Sequence, residues 1–193
     1  MRIIAGQFRG RKIHPPRGFD TTRPITDRVK QSLFDRLTAM QMLGGHVLDI
    51  FSGTGSLGLE SLSRGADHCT FVEQNRSART LLEQNLAALE LAANATVLAA
   101  DALATNWLDR LRAAPGPARI AFCDPPYRLM TDARGAARVA RLMEALVPRI
   151  EADGLLVLRT DHQTAAPRVE GWQVLQTDVH GSMALHFYQT SSE

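Results

Sequence analysis

Residues 123–128 read CDPPYR and follow RIAF, an apolar stretch with the composition of a buried strand. Prolines lack the ladder donor and are confined to the ends, edges and turns of sheets. Here two of them stiffen the chain directly after an acidic side chain. One reading is an awkward turn. The other is a device that fixes the Asp124 carboxylate and a neighbouring backbone carbonyl as two acceptors, with Tyr127 beside them. A second candidate is LDIFSGTGSLGLE, residues 48–60, where Gly53, Gly55 and Gly58 stand in G-x-G-x-x-G spacing. Glycines there permit a tight turn and close approach of a ligand to the backbone. Glu73 closes the next apolar stretch, eighteen residues after Gly55, where a carboxylate suits two ribose hydroxyls. Asp101 closes the third in the corresponding place, where it can meet an adenine edge.

This loop fits a dinucleotide fold, and it fits the nucleoside site of an S-adenosylmethionine enzyme. Asp49, four residues before Gly53, tilts the choice. A carboxylate beside a pyrophosphate is unfavourable, whereas a sulfonium with an amino-acid tail carries positive charge. A Gly-rich turn that binds nothing leaves the acids at successive strand ends without a role.

The elements that must position these residues alternate. HVLDIF, HCTFVE, ATVLAA, RIAFCD and GLLVLRT read as strands. SLGLESLSRG, SARTLLEQNLAALEL, a short TNWLDRLRAA and GAARVARLMEALVPRI read as helices between them. Apolar strands alternating with helices predict a parallel sheet covered on both faces, with ligands outside its carboxyl edge. WQVLQTDV, HGS and MALHFYQ leave no room for a crossover helix, so the chain ends in a β-hairpin with one antiparallel strand. Ahead of the alternation, RIIAG and GRKIH can pair as a small hairpin. TDRVKQSLFDRLTAM reads as a helix capped by Thr26, with Val29, Leu33, Phe34, Leu37 and Met40 on one face and Gly44 and Gly45 ending it. The division expected is a basic hairpin-and-helix extension over 1–42 and a main domain over 43–190.

A chain of 193 residues with 45% hydrophobic and 22% charged residues suits one domain with a small appendage. No apolar run reaches membrane-spanning length, and the amino terminus lacks a secretory signal, so a cytoplasmic protein is expected. Cys69 and Cys123 read as reduced core thiols, and no Cys/His spacing predicts a metal. The net charge of +2 hides an asymmetry: residues 1–36 hold nine Lys/Arg against three acids. A basic arm fits a polyanionic partner or a solvated face, and charge alone does not separate them. Trp107 and Trp172 read as packing residues. Arg134, Arg138 and Arg141 lie at helical spacing and read as a solvated face rather than an RNA path.

LDIFSGTGSLGLE, FVEQN and CDPPY, in this order, resemble class I S-adenosylmethionine-dependent methyltransferases that modify amino groups. RIIAGQFRGRKI followed by TRPITDRVKQSLFDRL is similar to the bacterial 16S rRNA guanine-N2 methyltransferase family, over nearly the whole chain. The resemblance implies a Rossmann-like α/β fold with a seven-stranded, mostly parallel sheet and an antiparallel last strand. It implies that Asp49, Phe51, Ser52, Gly53, Gly55, Glu73, Gln74, Asp101 and Ala102 hold S-adenosylmethionine. Asp124, Pro125, Pro126 and Tyr127 would hold the target base, and Arg9, Arg11, Lys12, Arg23 and Arg28 would contact RNA. The implied partner is 16S rRNA, free or in an assembling 30S particle, for a monomeric enzyme without metal. Ser52 departs from the Ala of many members, and arginines replace lysines in the arm.

That chemistry suits the residues. The lone pair of a guanine amine is delocalised into the ring, and two acceptors aimed at its N–H bonds favour pyramidalisation. Asp124 and the Pro125 carbonyl supply them, the prolines preorganise them, and Tyr127 stacks on the base. Adenine-N6 or protein-glutamine methylation is the nearest alternative, but those groups usually carry Asn where this chain has Asp124. A nicotinamide-dependent oxidoreductase gives no role to CDPPY or the arm. A non-catalytic RNA-binding module does not need the strand-end acids.

Overall fold

The computed structural model describes residues 1–15, 25–113 and 115–191. Its strands are β1 (His46–Ile50), β2 (His68–Val72), β3 (Ala95–Leu98), β4 (Ala118–Cys123), β5 (Ile150–Asp161), β6 (Trp172–His180) and β7 (Met183–Thr190). Its α-helices are α1 (Asp27–Ala39), α2 (Ser56–Ser63), α3 (Arg76–Ala88), α4 (Tyr127–Thr131) and α5 (Ala133–Leu146). The strands form one sheet in the order β3-β2-β1-β4-β5-β7-β6. The first five are parallel, and β7 runs antiparallel to both β5 and β6. This is the sheet expected from the alternation and the terminal hairpin. Every residue of HVLDI in β1 is buried, as a central parallel strand with both faces covered requires.

Two apolar layers flank the sheet. On one face Leu33, Phe34, Leu57, Leu82 and Leu86 pack against Phe71, Phe122 and Phe187. On the other, Trp107, Val139, Leu142 and Leu146 pack against Leu48, Ile50, Leu156 and Tyr188. Both tryptophans are buried packing residues with satisfied indoles: Trp107 donates to the Ala102 carbonyl at 3.0 Å and Trp172 to the Met143 carbonyl at 2.7 Å. Among the described residues, no helix is long and apolar enough to cross a membrane.

The amino-terminal segment shares this core. A single antiparallel bridge, Arg2 to Lys12, stands where a hairpin is expected, and Ile3 and Ile13 on either side are buried with Leu33 and Leu57. Buried Glu60 is its anchor. It accepts from the Ile4 and Ala5 amides at 2.8 and 3.0 Å and pairs with Lys30 at 3.2 Å and Arg64 at 2.8 Å. Lys30 also donates to the Arg2 carbonyl at 2.8 Å. Glu60 thus ties the amino-terminal segment and α1 to α2, and Ser63 of α2 adds hydrogen bonds to Ala5, Gln7 and Phe8.

Some boundaries differ from the sequence reading. Thr26 caps α1 through the Val29 amide, but the helix stops at Ala39 and Gln41 turns to φ +56° ahead of the glycines. The stretch TNWLDRLRA forms a 3-10 helix, Thr105–Ala113. The third strand ends at Leu98, so Asp101 lies in the following loop. The one-turn α4 was not anticipated; Pro126, at φ −52°, already has a helical φ where it opens that turn.

Candidate active site

The sheet order reverses between β1 and β4: the chain leaves β1 toward β2 and leaves β4 toward β5. Ligands of such sheets bind outside the carboxyl ends at this switch point. Ile50 and Cys123 are register partners there, and the Asp124 amide donates to the Ile50 carbonyl at 3.2 Å. The two motifs singled out in the sequence, 48–60 and 123–128, are therefore neighbours.

The loop after β1 is shaped by its backbone. Phe51 takes φ +61°, a left-handed conformation that is strained for an aromatic residue and turns the chain sharply out of the strand. Gly55 takes φ +85° and opens α2, and a Cβ there would lie 2.4 Å from Leu82. At Gly58 a Cβ would lie 2.3 Å from Phe71 and 2.6 Å from the Cys69 sulfur, so α2 sits directly on β2. Asp49 is 2% exposed and accepts from the Gly58 amide at 2.8 Å. Glu73, just past β2, accepts from the Gly53 amide at 2.8 Å and the Asn75 amide at 2.7 Å. The acids expected to hold a cofactor thus also hold the loop. Ser52 is buried, and its hydroxyl has no hydrogen-bond partner among the described residues.

Asp49, Phe51, Ser52, Gly53, Asp124 and Arg159 line a cavity of about 90 Å³, together with Met1 and Ile25. Glu73 stands at its loop. Asp101 and Ala102 belong to the loop after β3 and do not line it. Asp101 accepts from the Leu103 amide at 3.0 Å and lies 3.7 Å from Arg138, so one arginine of the α5 series reaches a candidate cofactor residue. Gln74 is exposed, and its carbonyl accepts from Arg79 at 2.6 Å. A larger open depression of about 560 Å³ along α3 brings none of the predicted residues together.

Asp124 has an unexpected partner. Arg159 of β5 donates from Nε to its Oδ1 at 2.6 Å, and the Arg159 guanidinium carbon lies 5.6 Å from the Tyr127 ring centroid. The signal was present: an arginine inside the apolar run GLLVLRT must be buried with a counter-charge or drawn to one. Pro125 is buried, Pro126 is half-buried, and Tyr127 packs partly against the core as the first residue of α4. Burial pushes the Asp124 carboxyl up, and the Arg159 guanidinium opposes this. Burial pushes Asp49 well above the ordinary carboxylate range; the Gly58 amide pulls it back, while Asp124 and Glu73 add to the rise. Burial also raises both thiols, which leaves Cys69 and Cys123 protonated packing groups rather than nucleophiles.

The basic residues divide. Arg9, Arg11, Lys12 and Arg28 are exposed, and Arg11 donates to the Ala88 carbonyl at 2.7 Å. Arg2 and Arg36 pair with Asp27 and Asp178, and Lys30 is buried on Glu60. Arg23 lies outside the described residues.

The family model described as Conserved hypothetical protein 95 matches residues 1–189. Ribosomal RNA small subunit methyltransferase D of Escherichia coli K12 is 34% identical over 200 residues, covering 100% of this chain and 91% of its own. Its namesake in Haemophilus influenzae is 30% identical over 191 residues, covering 98% and 93%. The solved structure of the Escherichia coli protein yhhF superposes with a TM-score of 0.78 at 34% identity, covering 100% of this chain and 99% of that one.

Proposed function

The chain belongs to the family of the ribosomal RNA small subunit methyltransferase D proteins, and from that premise we propose that it methylates the exocyclic N2 of a guanine in 16S ribosomal RNA. S-adenosylmethionine is the methyl donor in this reading. The observation that carries it is that Asp124 lines one cavity with Asp49 and Gly53 at the β1–β4 switch point.

The residues present fit the donor. Asp49 is a buried carboxyl whose ionised form a cationic donor would favour, and Glu73 has acceptor capacity beyond the Gly53 and Asn75 amides for ribose hydroxyls. The unpartnered Ser52 hydroxyl is a polar group in the same cavity. S-adenosylmethionine, when bound, supplies an electrophilic methyl group whose bonding pair stays on sulfur. Asp124 and the Pro125 carbonyl accept the two N2–H bonds and localise the nitrogen lone pair for in-line attack. As the N–C bond forms, positive charge grows on nitrogen, and the Asp124 carboxylate balances it and takes up the released proton. Exposed Arg9, Arg11, Lys12 and Arg28 would follow the phosphate backbone.

Adenine-N6 methylation is disfavoured by an acid, rather than an amide, at position 124. Incubation with methyl-labelled S-adenosylmethionine and 16S RNA, 30S particles or duplex DNA tests the proposal. Label should enter at least one ribosomal substrate and not the DNA. S-adenosylmethionine binding without label in any RNA would refute it.

A further inference from the structure

We propose that Arg159 reads the target base directly, donating from Nη1 to the ring nitrogen N3 that flanks the reactive amine of guanine. This rests on the guanine-N2 reading above.

Arg159 is 2% exposed and lines the same cavity as Asp49 and Asp124. Its Nε is spent on Asp124, but its buried Nη1 has no hydrogen-bond partner among the described residues. A buried guanidinium N–H without an acceptor is costly, and an acceptor on a ligand relieves that cost. The Asp124 bond is to Oδ1, which leaves further acceptor capacity on the carboxylate.

The order of groups then orients the base. In the proposed arrangement the Arg159 guanidinium, which holds Asp124 Oδ1, and the Pro125 carbonyl, next along the chain, flank the Asp124 carboxylate, one as donor and one as acceptor. The N2 amine of guanine has an acceptor, N3, on one side and a donor, N1–H, on the other. A guanidinium facing N1–H would set donor against donor. The base therefore enters with N3 toward Arg159 and N1–H toward the Pro125 carbonyl. The N6 amine of adenine has acceptors on both sides, so one of them would face that carbonyl. The same three groups thus exclude adenine.

The test is a comparison of guanosine with 3-deazaguanosine, which replaces only N3 by C–H, at the methylated position of an RNA mapped by mass spectrometry. Values of kcat/KM are measured for the wild type, Arg159→Met and Arg159→Gln, with thermal unfolding to confirm folding. The wild type should lose about tenfold or more on the deaza substrate. Arg159→Met should be slow on guanosine and show no further deaza penalty. Arg159→Gln keeps a neutral N–H donor and should retain part of it. If Arg159→Met does not fold, the wild-type and Arg159→Gln ratios decide. A wild type indifferent to N3, or the same penalty in wild type and folded Arg159→Met, would overturn the inference while leaving guanine methylation intact. A wild type that makes no N2-methylguanosine from any RNA would overturn both.

Discussion

Asp49→Asn should make the protein more stable and its cofactor site weaker. Asp49 is 2% exposed, and the one hydrogen bond it accepts among the described residues is from Gly58, at 2.8 Å. Asparagine keeps an acceptor for that amide and loses only the charge-assisted part of the bond, roughly 1 kcal/mol. It also removes a buried carboxylate whose effective desolvation cost is on the order of several kcal/mol. The net gain is roughly 1–3 kcal/mol, which for a chain of this size raises Tm by roughly 2–4 °C per kcal/mol. The gain has a pH signature. Unfolded Asp49 ionises near its ordinary value of 3.8, and the folded carboxyl ionises well above it. Below that ordinary value both states are protonated, and wild type and variant should melt together. As pH rises past it the unfolded state ionises first, so the wild type loses stability until the folded carboxyl has also ionised. Scanning calorimetry across the acid and neutral range should show the two Tm curves parting as pH rises. Titration calorimetry should show weaker S-adenosylmethionine binding by the variant at neutral pH. A variant that melts below the wild type at neutral pH, or a gap indifferent to pH, would refute the reasoning.

Glu60→Gln strands the Lys30 ammonium, whose side chain is 1% exposed, and should cost roughly 3–5 kcal/mol in denaturant unfolding and free residues 1–13 to proteolysis. A loss below about 1 kcal/mol would show that the apolar contacts of Ile3 and Ile13 suffice. Glu73→Ala should weaken S-adenosylmethionine and S-adenosylhomocysteine by roughly 1.5–3 kcal/mol per ribose bond lost; undiminished binding in a calorimetric titration would remove Glu73 as the ribose ligand. Neutralising Arg9, Arg11 and Lys12 together should flatten the salt dependence of RNA binding by roughly 0.7–0.9 in log–log slope per lost phosphate contact, with cofactor affinity unchanged. An unaltered slope would make the arm purely a structural strap.

The sheet was legible in the sequence because both of its signals are local. Buried parallel strands announce themselves as short apolar runs, and the missing crossover helix between Val174 and Leu185 forces a hairpin. The loop and the Asp-Pro-Pro-Tyr turn were legible because glycine spacing and paired prolines constrain backbone whatever surrounds them. What stayed hidden is pairing at a distance. Lys30 sits on a helix face whose apolar members were recognised, and nothing local says that it turns inward to Glu60, 30 positions away. Arg159 and Asp124 are 35 residues apart and meet because β5 pairs with β4. Asp101 was placed at a strand end that the backbone reaches three residues earlier, the usual weakness of a boundary read from composition alone.

The central claim is that Asp124 activates a guanine amine, and the chemical identity of the methylated nucleoside tests it most directly. Ribosomal RNA methylated by the wild type and by Asp124→Asn is digested and its nucleosides resolved by mass spectrometry. The wild type should yield N2-methylguanosine. The variant keeps a carbonyl oxygen but lacks the charge that balances the attacking nitrogen, so its yield per unit time should fall by about 100-fold or more, with Tm and S-adenosylmethionine affinity little changed. Near-normal N2-methylguanosine from Asp124→Asn, or N6-methyladenosine from the wild type, would contradict the account.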